Sequence, residues 1–180
     1  MDLSSSKSTV FGKGFSHWNA QTIGKTGALE PDESKVFDEA LNTMGELSSQ
    51  AQQLSTPITT VDKVRERADS VYIICDQTGD ILQGFLRLGR KHLFLYPPND
   101  GSMCEEDVLC LLDFYVHESV QRKGIGLDLF TSALKKEGLT PTEIAYDRPS
   151  DKLRSFLSKH FGLQNCLDQP NRFMVFKEYF

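Results

Sequence analysis

No apolar stretch in the 180-residue chain approaches the roughly 20 residues that a membrane-crossing helix requires. The first residues, MDLSSSKSTVFGKGFSH, lack the apolar block of a secretory signal, so a cytosolic address is the expectation. Cysteine is sparse. Cys75, Cys104, Cys110 and Cys166 form no C-x-x-C pair, and no two histidines stand three to five residues apart. That pattern argues against a structural zinc site and for reduced thiols, and no metal is expected. An excess of positive charge is missing too. The formal net charge of −5 argues against a general nucleic-acid binder, which needs a basic face for phosphates. It leaves room for a local basic patch serving one phosphorylated ligand. Internal repeats and low-complexity blocks are also absent. What remains, 39% hydrophobic and 25% charged, is the composition of a soluble domain with its own core.

Residues 1–30 are rich in Ser, Thr, Gly and Lys and show little periodicity, which predicts a loosely ordered lead-in and places the domain at 31–180. Phe11, Phe15 and Trp18 are the residues able to pin part of that lead-in to a core. Val36, Phe37, Ala40, Leu41, Met44, Leu47, Ala51 and Leu54 then recur at helical spacing, predicting a helix over 32–54 with acidic residues at its start. A short charged helix over 61–68 follows a linker. Strands are expected over 71–75, 81–88, 92–96 and 108–116, with turns at 77–80 and 89–91 and a loop over 97–102. The last of these strands is almost continuously apolar, as a strand covered on both faces would be. Beyond it the order is helix 124–136, strand 143–147, helix 150–160 and a strand near 173–177. The implied fold class is α/β: a central mixed sheet with helices on both faces.

Gln121-Arg122-Lys123-Gly124-Ile125-Gly126 stands between the apolar strand and an amphipathic helix. Glycines spaced by one residue let a ligand approach the backbone with no Cβ in the way. Unpaired amides at the helix start form an anion site, and Arg122 and Lys123 add positive charge. A diphosphate suits such a place. A plain turn is the competing reading, because short glycine motifs are unspecific. The third glycine of a dinucleotide fingerprint is missing, and the pattern is not a G-x-x-x-x-G-K-[ST] phosphate loop.

The pattern Q-R-x-G-x-G, after a long strand and opening a helix, is similar to the acetyl-CoA loop of the GNAT superfamily. The wider run Leu112-Asp113-Phe114-Tyr115-Val116-His117-Glu118-Ser119-Val120-Gln121-Arg122 closely resembles the corresponding strand and loop of α-tubulin N-acetyltransferases. Asp147-Arg148-Pro149-Ser150 resembles the same family, as do Lys152-Leu153, Phe156-Leu157 and Lys159-His160. So does Ala51-Gln52-Gln53-Leu54-Ser55 with Pro57-Ile58-Thr59. The blocks fall in order over about residues 35–180; the first 30 residues carry no resemblance. Lys123 and Ile125 stand where animal members commonly have histidines.

This resemblance implies a GNAT-like fold with splayed parallel strands, 108–116 and 143–147, at the site of acetyl-CoA, the cosubstrate. It implies acetyl transfer to a lysine of α-tubulin facing the microtubule lumen, by direct attack in a ternary complex. Carried over residue by residue, the coenzyme contacts are Phe114, Tyr115, Val116, His117, Gln121, Arg122, Lys123, Gly124, Ile125, Gly126, Leu127, Ser150, Lys152 and Lys159. Cys110 and Asp147 match the catalytic pair, and Gln52 matches a residue important for activity. The implied partners are α-tubulin and microtubules, with no nucleic acid or membrane. The implied enzyme is a cytoplasmic monomer of the microtubule cytoskeleton, the axoneme of cilia or flagella included.

A lysine amine is mostly protonated at neutral pH, so transfer needs a base and donors for the developing oxyanion. Asp147 ends an apolar strand, where partial desolvation favours a base; a helix cap is the equally simple alternative. Buried Cys110 reads on its own as a small hydrophobe. Gln52 at a helix end reads as solvated. Lys152 and Lys159 read as phosphate partners or surface lysines, and Arg87, Arg90, Lys91 and His92 as a docking patch for an acidic partner or a solvated surface. Two rival functions remain: acetylation of another protein lysine or small amine, and a non-catalytic microtubule-binding module that retains acetyl-CoA.

Overall fold

Runs of mostly buried positions along the middle of the chain build a sheet, and the computed structural model describes residues 10–24, 29–98 and 101–180 of the chain. The strands are β1 (Phe15–Asn19), β2 (Ser70–Cys75), β3 (Leu82–Leu95), β4 (Cys104–Val116), β5 (Ala145–Asp147), β6 (Cys166–Asp168) and β7 (Phe173–Phe176). They form one sheet in the order β1-β2-β3-β4-β5-β7-β6. β1 with β2, β5 with β7 and β6 with β7 are antiparallel, whereas β4 and β5 are parallel. The sheet is therefore mixed. The helices are α1 (Ala20–Gly24), α2 (Pro31–Ala51), α3 (Val61–Arg67), α4 (Ile125–Glu137) and α5 (Asp151–Phe161). Among the described residues no helix is long and apolar enough to cross a membrane.

The chain divides into two units, one running to Arg87 and including Asp113–Ala133, the other comprising Leu88–Leu112 and Leu134–Phe180. In the first, α2 buries Phe37, Ala40, Leu41, Met44, Gly45, Ser48 and Ser49, the three-and-four spacing of one helical face. Pro31 opens the helix, and the Glu33 carboxylate accepts from the Glu30 amide at 3.1 Å. Phe11 and Trp18 pack against Phe37 with ring centroids 5.0 and 4.8 Å apart. These aromatics accompany β1, an edge strand in register from Phe15↔Ile74 to Asn19↔Ser70. The composition of residues 1–30 hid that strand; part of the segment lies outside the described residues.

The second unit has its own core of Leu93, Leu95, Val108, Cys110, Leu112, Ala145 and Val175. Two strands expected at 81–88 and 92–96 are one, β3, fourteen residues long. The polar run that suggested a turn is satisfied laterally instead: Arg90 donates to the Asp107 carbonyl at 3.1 Å, and His92 Nδ1 meets Asp107 Oδ1 at 2.9 Å. The expected 97–102 loop falls partly outside the described residues. β4 begins at Cys104, four residues before the apolar run, because Glu105, Glu106 and Asp107 are exposed strand positions.

Candidate active site

The strand-to-helix crossing of the first unit carries most of the expected coenzyme contacts. β4 ends in half-buried Phe114, buried Tyr115 and half-buried Val116. The His117 amide then donates to the Gln83 carbonyl at 2.9 Å, and the Gln121 side chain donates back to the Val116 carbonyl at 2.8 Å. These two bonds fix the mouth of the loop. Arg122 follows in the left-handed region at φ 62° and Gly124 at φ 87°. For a residue with a Cβ this conformation costs about 1–2 kcal/mol, a strain that concentrates at functional turns. The first helical bond, from the Asp128 amide to the Gly124 carbonyl, marks Gly124 as the start of α4. The amides of residues 122–127 find no acceptor among the described residues. A Cβ added at Gly124 would meet nothing within 4 Å. Lys123 Nζ donates to the Ser119 carbonyl at 3.1 Å, and Arg122 makes no ion pair among the described residues. A helix start with bare amides, an open glycine and two exposed cations is an anion site in its chemistry.

Gln52, also in the first unit, caps α2. The helix stops three residues earlier than the periodicity predicts. Gln53 turns left-handed at φ 56°, the Leu54 amide donates to the Ser49 carbonyl at 2.9 Å, and the Gln53 amide to the Gln50 carbonyl at 3.1 Å. This is a Schellman stop made without glycine. The Gln52 side chain is not merely solvated. Its Nε2 donates to Ser48 Oγ at 2.8 Å and to Asp113 Oδ1 at 3.0 Å. Asp113 is only 4% exposed and also accepts from Ser48 Oγ at 2.8 Å and Thr59 Oγ1 at 2.6 Å. Burial pushes its carboxyl above the usual range, opposed by the Thr59, Ser48 and Gln52 hydrogen bonds and by the charge of Arg87. This network was missed at the level of sequence, although an acid inside the run Leu111-Leu112-Asp113-Phe114-Tyr115 and serines on the apolar face of α2 were its signals.

In the second unit Cys110 is fully buried, and its thiol lies 3.4 Å from the Val108 carbonyl. It pairs with Ala145 in the short β4–β5 ladder, two residues before Asp147. The Asp147 side chain is 17% exposed, and the Arg148 guanidinium lies across it at 2.9 and 3.3 Å. The cap alternative for Asp147 does not hold. Ser150 is the N-cap of α5, its hydroxyl accepting from the Leu153 amide at 3.3 Å. Lys152 and Lys159 are exposed on α5. Lys159 lines an open cavity of about 460 Å³ with Arg154, Ser155, Ser158 and Cys166. Among the described residues no group of three or more His, Cys, Asp or Glu could hold a metal.

The expected basic docking patch is corrected. Arg87 is 2% exposed and forms a buried ion pair with Asp69, its Nε 2.9 Å from Asp69 Oδ2. His92 is bracketed by Glu105 and Asp107, which raise its pKa. That surface is mixed in charge.

This arrangement of strands and helices is the fold of GNAT acetyltransferases. The acetyltransferase domain of xEco2, solved with a K105-CoA conjugate, superposes with a TM-score of 0.56 over 92% of this chain and 93% of that one, at 15% identity. The chain belongs to the family described as GNAT acetyltransferase, Mec-17, whose model matches residues 6–180. An alpha-tubulin N-acetyltransferase of Phytophthora infestans is 42% identical over 158 residues, 79% of this chain and 88% of that protein. One from Anopheles gambiae is 41% identical over 160 residues, 88% of this chain, which spans 33% of the length of that relative.

Proposed function

We propose that the chain transfers the acetyl group of acetyl-CoA to the side-chain amine of an α-tubulin lysine in the microtubule lumen, by direct attack in a ternary complex. The observation that carries this reading is the run of unpaired amides at residues 122–127 in a chain of this family. Bound there, the coenzyme supplies an acetyl thioester. The amides, with Arg122 and Lys123, hold its diphosphate, and the glycines keep side chains out of its way. Phe114, Tyr115, Val116 and His117 form the strand edge beside it, with Ile125 and Leu127 on the first turn of α4. Ser150, Lys152 and Lys159 hold its remaining phosphate.

Asp147 takes the proton that the substrate ammonium must lose. Arg148, lying across that carboxylate, orients it. Cys110 is wholly buried and so shapes the wall of the site rather than serving as a nucleophile. Gln52 contacts the incoming amine. The enzyme acts as a monomer, in the cytoplasm on the microtubule cytoskeleton, axonemes included, without nucleic acid or membrane.

The test is to mix the chain with acetyl-CoA and polymerised tubulin, free tubulin or polyamines, and to locate the acetyl group by mass spectrometry. Acetylation of one α-tubulin lysine, fastest on polymer, supports the reading. Equal or faster transfer to a small amine overturns the substrate, and coenzyme binding without turnover on any acceptor overturns the enzyme.

A further inference from the structure

The Gln52 amide is held by one end only. Its Nε2 donates to two acceptors, Ser48 Oγ and Asp113 Oδ1, and Ser48 Oγ itself donates to the same Asp113 oxygen. A flipped amide would turn its carbonyl oxygen towards a buried carboxylate, so the network admits a single orientation. The residue is exposed, and its Oε1 accepts from no described residue. The nitrogen is thus spent inside and the oxygen is offered outside.

We infer that Asp113 is a positioning residue that aims the Gln52 carbonyl oxygen as a fixed acceptor for the N–H of an arriving primary amine. The inference rests on the acetyl-transfer reading and adds three residues to it: Asp113, Ser48 and Thr59. The anchor is rigid because it gathers separate pieces of chain. Ser48 comes from the last turn of α2, Gln52 from its C-cap, and Thr59 from the linker before α3. Arg87 braces that linker by donating to the Ile58 carbonyl. Gly45 lets it approach closely, since a Cβ there would sit 2.0 Å from the Thr59 carbonyl oxygen. A carbonyl oxygen fixed in this way accepts from an ammonium before its proton is lost and from the neutral amine during attack. Orientation is thereby secured before chemistry begins.

Reversing the polarity of the pair tests this. In Q52E alone a second carboxylate faces Asp113, so the side chain swings away and kcat on microtubules falls roughly tenfold to a hundredfold, with KM for acetyl-CoA unchanged. In D113N/Q52E every bond can be remade. The new amide nitrogen at position 113 donates to Ser48 Oγ and to one oxygen of the new carboxylate at position 52. Ser48 Oγ donates to that same carboxylate, and Thr59 Oγ1 donates to the amide oxygen at position 113. The second carboxylate oxygen again faces out, and kcat returns to within a few-fold of wild type. A double variant no faster than Q52E overturns the inference.

Should Q52E not fold, S48A removes one of the two acceptors and lowers kcat several-fold at constant coenzyme KM; an unchanged kcat there is equally contrary. A wild-type chain inert on every amine would sink the parent reading alone. The side-chain amide signal of Gln52 then still decides the orientation. Slow hydrogen exchange that becomes fast in D113A supports the anchor, and fast exchange in the wild type overturns it.

Discussion

Replacing Gly45 with Ala sets two effects of opposite sign against each other. Gly45 is buried inside α2, where Ala is favoured over Gly by about 1 kcal/mol for backbone reasons alone. Its added Cβ would stand 2.0 Å from the Thr59 carbonyl oxygen and 3.1 Å from the carbonyl carbon, both backbone atoms that no rotamer change can move. Ordinary carbon-to-oxygen contact begins near ~3.3 Å, so the linker must retreat by about 1.3 Å. The 2.6 Å bond from Thr59 Oγ1 to buried Asp113 cannot survive that shift. Losing a hydrogen bond to a charged group costs about 1.5–3 kcal/mol, and displacing packed backbone about 1–3 kcal/mol more. After the helix gain is subtracted, the variant is destabilised by ~1.5–5 kcal/mol, a drop in Tm of about 3–20 °C for a chain of this size. Thermal and urea unfolding followed by circular dichroism measure it. An unchanged or higher Tm would refute the close packing of α2 on the 57–60 linker.

Gly126→Ala is the contrasting case. Its Cβ would make ordinary contacts of 3.5 and 3.6 Å with Phe114 and Val116, so the fold is retained while coenzyme affinity falls about tenfold, read by calorimetry. Asp147→Asn is expected to lower kcat by about 10²–10⁴ with coenzyme affinity intact; turnover close to wild type would remove Asp147 as the base. His92 should titrate above an unstructured histidine because Glu105 and Asp107 favour its charged form. Its stabilising contribution is complete below the unfolded pKa and disappears as pH rises through the folded one; NMR titration of wild type and E105Q/D107N checks both midpoints. Asp113, raised by burial, has the same sign: stability falls as pH climbs from its unfolded to its folded pKa, and D113N flattens that part of the urea-midpoint profile.

Much of the fold was legible because long periodic patterns report burial directly. The face of α2 and the apolar run of β4 stand where periodicity places them, and α5 lies within one residue of the helix expected over 150–160. What stayed hidden depends on partners far along the chain. β1 is strand because Trp18 and Phe11 find Phe37, and no local pattern in residues 15–19 announces that. β3 runs through Gly89-Arg90-Lys91 because those residues lie opposite the acidic stretch of β4. At the candidate site, glycine spacing and neighbouring charge revealed the loop before α4. The Asp113 network left only separate signals in the sequence, and nothing joined them, since Ser48 and Thr59 stand 65 and 54 residues away from Asp113. Arg87 likewise read as a surface cation until Asp69, 18 residues away, appeared as its buried partner.

The claim that the amides opening α4 hold the coenzyme's diphosphate is tested most directly by following backbone amide NMR shifts while CoA is added. The account predicts that the largest shifts fall on residues 122–127, saturate together, and shrink when dephosphorylated pantetheine replaces CoA. Saturable binding that leaves those six amides unmoved, or equal shifts with pantetheine, would contradict it.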